Sequence, residues 1–425
     1  METAALSDIG LRRGNNQDAM ATLIAGSQEK FEERGHLFLV ADGMGAHAAG
    51  ELASKLAADV VSLTYSKLLD RKPAEALGAA VQDANLQIHT RGNASDDFRG
   101  MGTTVSVLVL LPQGALVAHV GDSRVYRLRG NRLDQLTFDH SLVWELRAAG
   151  HVASEDYPSY IPKNIITRSL GPNPQVHVDL EGYFPVRPGD TYLLCSDGLS
   201  GQVKDDEIGK VVIALPPKDA VQALVDLANL RGGPDNITVV VVRVTGPLAA
   251  EGTTASVAAG ESSGTSSRVA PGLWAPMGVL VLAAGILALL GQSVAAAASL
   301  LGAAMAGAVA LLRGYGRVRL PFREGSLGKG PYSSTDCTVD ATFVAQLAQI
   351  AQQLEDAAGG ADWTIDWERF RSFQGRAEAA GRSGELVAAV REYCSAITFM
   401  MAELRSQRDR TPPGGDSPAD FEEGW

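Results

Sequence analysis

Five aspartates stand beside apolar runs of the kind that form buried strands. Asp42 ends "FLVAD", Asp122 ends "LVAHVGD" and Asp197 ends "TYLLCSD". Asp235 precedes "NITVVVV", and Asp18 follows an arginine pair in "RRGNNQD". A single Asp-Gly after a strand is most often a turn. A repeated pattern indicates strand ends that bring several carboxylates to one place.

Such a set of carboxylates describes an all-oxygen site. Hard oxygen ligands suit Mg²⁺ or Mn²⁺ and not Zn²⁺. Without an ion, the carboxylates would repel and raise one another's pKa. With two ions between them, a bridging water would be acidified into a nucleophile. Because an arginine fork binds two phosphate oxygens at once, the nearby Arg13 favours phosphoester hydrolysis.

Composition limits what else the chain can be. The 425 residues are 45% hydrophobic and 20% charged, which suits two or three domains with a real core. The net charge of −12, without a long basic block, excludes a nucleic-acid surface as the expected function. Three widely spaced cysteines indicate a reducing compartment, and no secretory signal is expected at the N-terminus.

Strand-like and helix-like stretches alternate up to about Val244. We expect a first strand at 36–41, later strands at 192–196 and 237–244, and a helix at about 220–230. Leu52, Leu56, Val60 and Leu63 fall at helical spacing, as do Leu77, Val81, Ala84 and Ile88. Hairpin punctuation such as "PQG" and "RGN" favours antiparallel pairing. The predicted class is α+β, not a doubly wound parallel sheet.

The second half of the chain divides by composition. Residues 246–272 are small and polar, which predicts a flexible linker. Residues 273–312 contain no charged residue, a length that suits two membrane crossings with "GQS" as the turn. One long span or a buried helical pair is the alternative. The basic stretch 313–338 then places the downstream side in the cytoplasm.

Further helical periodicity follows the basic stretch. Phe343, Leu347, Ile350 and Leu354 make one apolar face, and Leu386, Val390, Ile397, Met401 and Leu404 make another. This predicts a small helical module at 339–410, without a catalytic pattern, and a polar tail at 411–425.

Eight motifs follow one another over residues 1–245. They are "SDIGLRRGNNQDA", "VADGMGAHAAGE", "GMGTT", "HVGDSRVYRL", "DHSLVWELRAAG", "NIITRSLG", "LLCSDGLS" and "GGPDNITVVVV". In this order the chain resembles the bacterial metal-dependent protein phosphatases, the PPM or type 2C family. The resemblance implies an antiparallel β-sandwich flanked by helices, with a metal centre in a cleft at one end. It also implies hydrolysis of phosphoserine and phosphothreonine in proteins.

The resemblance assigns roles to the same residues. Asp42 would bridge two Mn²⁺ or Mg²⁺ ions, and the Gly43 carbonyl would bind one of them. Asp197 and Asp235 would complete the other ion's shell, with Asp18 holding metal-bound water. Asp122 matches the position that, with the Asp197 site, binds a third, weaker ion in bacterial members. Arg13 matches the phosphate-binding arginine.

Two departures from the family pattern bear on mechanism and specificity. Met44 stands where animal members carry a histidine assigned as general acid, so leaving-group protonation needs another source. The flap segment "EDYPSYIPKNIITRSLG" is about three residues longer than usual, which predicts a different substrate preference. Apart from the motifs' main roles, we expect Arg124 to brace its loop by a salt bridge and Cys195 to be buried packing.

The sequence therefore predicts a serine/threonine protein phosphatase tethered to the cell inner membrane, with its catalytic domain in the cytoplasm. Phosphorylated proteins are the expected substrates, and family habit adds a bacterial serine/threonine kinase as the opposing partner. The rival from another class is a catalytically idle membrane adaptor acting through its C-terminal helices. A dinuclear phosphoesterase with small-molecule substrates is a third possibility. The oligomeric state is open.

Overall fold

Two antiparallel sheets pack face to face in the computed structural model, with helices on their outer faces. The structure describes residues 1–46, 48–150, 165–247, 327–359 and 365–410. The predicted membrane segment 273–312, most of the linker, part of the flap and the tail 411–425 lie outside these ranges. None of the helices within the ranges has the length and apolarity that a bilayer crossing requires.

The first sheet has the order β1-β11-β10-β7-β8-β12, and the second has the order β2-β3-β5-β6-β9 with β4 beside β3. The strands are β1 (Glu2–Asp8), β2 (Asp18–Leu23), β3 (His36–Met44), β4 (Gly102–Thr103), β5 (Val105–Leu111), β6 (Gly114–Val120), β7 (Arg124–Arg129), β8 (Arg132–Gln135), β9 (Asp179–Phe184), β10 (Thr191–Cys195), β11 (Ile237–Arg243) and β12 (Ser333–Asp336).

The helices lie between and after these strands in the chain. They are α1 (Gln28–Arg34), α2 (Ala49–Lys67), α3 (Pro73–Asn93), α4 (Leu142–Ala148), α5 (Asp197–Ser200), α6 (Asp205–Ala214), α7 (Pro217–Leu230), α8 (Ala341–Gly359), α9 (Trp367–Ser383) and α10 (Leu386–Arg410), with a 3-10 turn at Asp96–Phe98.

Successive side chains of β3 point to opposite faces of the sheet, and both faces are buried, which explains why the strand is apolar throughout. Phe38 and Val40 lie in the core between the two sheets. Leu39 and Ala41 lie in the outer core, which α2 and α3 cover. Because both faces of the central strands are buried, their sequences read as continuous apolar runs. The predicted α+β sandwich is confirmed.

Two details of the sequence reading are wrong. The strand at 36–41 is not the first, because β1 and β2 precede it. Both are edge strands rich in alanine, so they lack the β-branched run that marks a central strand. On α2 the buried residues are mainly alanine, glycine and serine, whereas Leu63, predicted to lie on the apolar face, is 55% exposed.

The C-terminal helices pack directly on the sandwich. Their buried side chains, such as Phe343 and Ile397, share one core with those of α6, α7 and β11. β12 pairs antiparallel with β8 and forms the edge of the first sheet. All described parts of the chain belong to one compact unit. The predicted helices at 339–410 are present, but the sequence prediction did not include this packing.

Polar contacts fix the same junction. Arg405 on α10 pairs with Asp226 on α7, which is fully buried. Lys210 on α6 pairs with Asp340 at 2.8 Å, just before α8. The Arg391 Nε donates to the Ala214 carbonyl at 2.9 Å. These contacts join helices that are far apart in sequence.

Candidate metal centre and active-site cleft

Strand pairing places the first two aspartates opposite each other. β2 and β3 run antiparallel, and the Cα atoms of Asp18 and Asp42 are register partners. The Asp42 backbone is fixed from the other side, because its N–H donates to the Thr104 Oγ1 at 2.9 Å and its carbonyl accepts from the Thr104 N–H at 2.9 Å. Thr104 Oγ1 also contacts Ser123 Oγ at 2.7 Å, which ties Asp42 to the loop that carries Asp122.

The other pair comes from neighbouring strands of the first sheet. Asp197 follows β10 at the start of α5, and Asp235 precedes β11. Gly198 allows this close approach, since a Cβ there would lie 2.0 Å from the Asn236 carbonyl oxygen. Gly43 is equally confined, because its Cβ would lie 2.1 Å from the Gly50 carbonyl oxygen. Both glycines of the "DG" motifs are therefore required by backbone contacts.

Burial and repulsion from neighbouring carboxylates raise the pKa values of Asp18, Asp42, Asp122 and Asp197. The pKa of Asp18 rises to about 7, first through burial and then through the charges of Asp197 and Asp235. The pKa of Asp122 rises to about 8 through burial and the charge of Asp197. Burial and then the Asp18 charge hold the pKa of Asp42 well above its usual range. The predicted electrostatic cluster is present.

Several carboxylate oxygens of this cluster have no hydrogen-bond partner among the residues that the structure describes. Asp18 Oδ1, Asp122 Oδ1 and Asp197 Oδ1 are buried without a hydrogen bond within the described part of the chain. A buried carboxylate oxygen without a donor is costly, and a divalent cation would satisfy several at once. Among the described residues, no three His, Cys, Asp or Glu side chains are arranged to hold an ion by themselves. The chemistry of the donors, which are carboxylate oxygens, fits hard divalent cations such as Mg²⁺ or Mn²⁺.

Residues that the sequence reading missed orient Asp18. Its Oδ2 accepts hydrogen bonds from Ser196 Oγ at 2.8 Å and Thr238 Oγ1 at 2.7 Å. These bonds leave Oδ1 as the buried oxygen without a partner in the described chain. Ser196 and Thr238 stand in the motifs "CSDG" and "DNIT", in which the sequence pattern indicates a functional role only for the aspartate.

Asn236 holds the loop that carries Arg13. Its Nδ2 donates to the carbonyls of Ile9 at 2.9 Å and Asn15 at 3.0 Å, and its Oδ1 accepts from the Gln17 N–H at 2.8 Å. All three partners lie between β1 and β2, on either side of the arginine pair. The loop is thus fastened to β11 by one side chain.

Arg13 itself lies at the rim of the cluster. Its Nη2 donates to Asp235 Oδ2 at 2.7 Å, and its side chain is 47% exposed. Arg13, Asp122, Asp197 and Asp235 all line one cleft of about 540 Å³. The structure therefore brings together the predicted side chains of the site, with the phosphate-binding candidate at the open end.

Two side chains for which the sequence predicts structural roles, Arg124 and Cys195, have those roles. Arg124 pairs with Asp139 at 2.7 Å and with Asp205 at 3.4 Å, so its predicted bracing role is confirmed. Cys195 is fully buried, and burial raises the pKa of its thiol, so its predicted packing role is confirmed. His140, also buried, accepts from the Gly121 N–H through Nδ1 at 2.9 Å.

Comparisons with known proteins agree with this geometry. The family model described as "Protein phosphatase 2C" matches residues 12–227. A Streptococcus pyogenes protein named "Putative protein phosphatase 2C-type" is 38% identical over 252 residues, which are 57% of this chain and 97% of that protein. Protein phosphatase PhpP of Streptococcus pneumoniae is 37% identical over 57% of this chain and 97% of its own length.

A solved structure gives the same result. The crystal structure of the Mycobacterium tuberculosis serine/threonine phosphatase PstP/Ppp is 36% identical, with a TM-score of 0.50, over 57% of this chain and 98% of its own. The resemblance read from the eight sequence motifs is confirmed. With its family match, its sheets and its aspartate cluster, the chain belongs to the protein phosphatase 2C family.

Proposed function

We propose that this protein-serine/threonine phosphatase acts through a centre of two Mn²⁺ or Mg²⁺ ions and is tethered to a membrane. One observation carries the first part of the proposal. Three aspartates of one cluster, Asp18, Asp122 and Asp197, each leave a buried oxygen without a partner in the described residues. When bound, divalent ions lower the pKa of water and neutralise phosphoryl charge.

The donors divide naturally between the ions. Asp42 would contact both, the Gly43 carbonyl one of them, and Asp197 and Asp235 the other. Asp18, held by Ser196 and Thr238, would bind a coordinated water. Asp122 would contribute, with Asp197, to a third and weaker site.

Arg13 would bind the phosphoryl oxygens of the substrate. Its guanidinium is half exposed at the cleft, and its contacts to Asp235 and to the Pro234 carbonyl use only the Nε and Nη2 side of the fork. The side chain is positioned by a loop that Asn236 fastens in place.

The test uses the full chain. Phosphate release from a phosphothreonine peptide should require Mn²⁺ and be lost in Asp42→Asn, and calorimetric titration should show weaker Mn²⁺ binding in that variant. Asp59→Asn, an exposed position on α2, is the matched control and should retain both. Turnover by Asp42→Asn at the wild-type rate would contradict the proposal.

The same variant separates catalysis from an adaptor role. An idle adaptor should keep its cellular effect with Asp42→Asn, whereas an enzyme should lose it. The intact aspartate set favours the enzyme.

Membrane attachment is proposed from the uncharged stretch at 273–312. The catalytic domain would then lie on the cytoplasmic side of the inner membrane, where a bacterial serine/threonine kinase is the expected opposing enzyme. Membrane fractionation of the full chain and of a variant with Leu282, Leu289 and Leu301 changed to arginine tests this. Recovery of the unchanged chain in the soluble fraction would refute the tether.

A further inference from the structure

Part of the lining of the cleft has no role in the proposed chemistry. The described lining residues are mostly polar or glycine, and they include Arg13 and four aspartates. Trp144 and Val143, both on α4, line the cleft as well. Trp144 is the single aromatic side chain among the described lining residues.

The Trp144 ring is held in place from several directions. Phe138 meets it edge-on, with ring centroids 5.5 Å apart and an interplanar angle of 82°. The guanidinium carbons of Arg124 and Arg147 lie 5.7 and 5.6 Å from its centroid. Ser141 caps α4 by accepting from the Trp144 N–H. An aromatic ring fixed in this way loses little conformational entropy when a partner packs against it.

Trp144 is only partly buried despite these contacts. A large aromatic ring that keeps an exposed part inside a cleft is the type of residue that dominates peptide interfaces. The cleft of about 540 Å³ is on the order of 8 Å across, and an extended peptide rises about 3.4 Å per residue, so two or three residues span it.

From this placement we propose that Trp144 is a specificity-determining residue, which packs against a large apolar side chain within three residues of the phosphorylated serine or threonine. The proposal rests on the proposed phosphatase function. A cationic partner is disfavoured because Arg124 and Arg147 already lie over the ring. An acidic partner is disfavoured because Arg124 is already paired with Asp139. An apolar partner is therefore favoured. Val143 and Pro234 add apolar surface to the same cleft.

A scanning peptide set tests the proposal on the full chain with Mn²⁺. Each phosphothreonine peptide carries one phenylalanine in an otherwise alanine and glycine background, placed from three residues before to three residues after the phosphothreonine. We expect one or two positions at which phenylalanine raises kcat/KM by about fivefold to tenfold, mainly through KM. Leucine should substitute for phenylalanine there, and lysine should not.

Variants assign the preference to the ring. Trp144→Ala should reduce the phenylalanine-to-alanine ratio of kcat/KM to about 1, and Trp144→Phe should restore a part of it. Leu86→Ala, at a 50% exposed position on α3, should leave the ratio unchanged. The ratio is measured within one variant, so a general loss of folded or active protein does not alter it.

The outcomes distinguish the proposed role of Trp144 from the proposed phosphatase function. A flat scan with the wild-type chain, or a preference that survives Trp144→Ala, overturns the role of Trp144 while leaving the phosphatase function intact. If the wild-type chain hydrolyses neither the peptides nor p-nitrophenyl phosphate, the proposed function itself fails.

Discussion

The ion pair between Arg405 and Asp226 offers the sharpest test of how the C-terminal helices belong to the fold. Asp226 is fully buried, and burial raises the pKa of its carboxyl group, while the Arg405 charge and hydrogen bonds from Gln222 act in the opposite direction. Arg405→Ala leaves this carboxylate buried without its cation. Breaking a buried pair from one side typically costs about 3–5 kcal/mol.

The expected loss lies at the lower end of that range. The Arg405 side chain is 35% exposed, so water partly replaces the guanidinium in the variant. We expect a decrease of about 3 kcal/mol in the free energy of unfolding at pH 7. The assay is denaturant unfolding of the full chain, followed by circular dichroism and by phosphatase activity.

Two further variants make the result specific. Arg382→Ala removes a surface pair with Glu378, whose nitrogen and oxygen are 3.8 Å apart, and should cost less than about 1 kcal/mol. Adding Asp226→Asn to Arg405→Ala removes the buried charge and should recover most of the lost stability.

The pH dependence has a defined sign. Because the pKa of Asp226 is higher in the folded than in the unfolded chain, the folded state binds more protons between these two values, and its stability decreases as pH rises through that window. Because the Arg405 charge lowers the pKa of Asp226, its loss raises the pKa of Asp226 in the folded state further. The penalty of Arg405→Ala should therefore shrink as the pH is lowered toward about 4. If Arg405→Ala and Arg382→Ala destabilise equally at pH 7, the inferred role of the buried pair is wrong.

Three other predictions concern single contacts. Gly209→Ala places a Cβ 2.2 Å from Cys337 Sγ and should destabilise the chain by about 1–3 kcal/mol, with partial rescue by Cys337→Gly in thermal unfolding. Without metal, Asp18→Asn should be more stable than the wild type at pH 8, and this difference in stability should disappear toward pH 4. The reason is that the raised pKa of Asp18, about 7, makes the wild type lose stability as pH rises. Equal pH profiles of the two proteins in the presence of chelator would contradict this. Asn236→Ala removes three hydrogen bonds to the loop of Arg13, which the Leu11 and Arg12 N–H groups still tie to the Gly233 carbonyl. The variant should raise KM for phosphopeptides more than it lowers kcat, which steady-state kinetics measures.

The metal-binding candidates were predictable because their signal is local. Asp42, Asp122 and Asp197 each end an apolar run, and strand pairing within each sheet together with the face-to-face packing of the two sheets brings such ends together. Their supporting donors were not predictable from pattern. Thr238 reaches Asp18 across a sequence separation of 220 residues, and a threonine inside an apolar strand is indistinguishable from one that only favours β structure.

The same limit applies to the C-terminal packing. The helical periodicity of α8 and α10 predicted apolar faces correctly, but periodicity does not tell what a face covers. In the sequence, Asp226 on α7 looks like the acidic residues that helices usually expose to solvent. Only the partner 179 residues later shows that it is a buried anchor. β12 is four polar residues long, and its strand state depends entirely on the edge of β8.

The pairing of β12 with β8 has a topological consequence for Pro247 and Leu327, the described residues that flank the segment 248–326. The described chain on both sides of this segment belongs to one compact unit, in which a single sheet contains β11 from before it and β12 from after it. A folded sheet lies wholly on one side of a lipid bilayer. Pro247 and Leu327 must therefore lie on the same side of any bilayer that the protein meets.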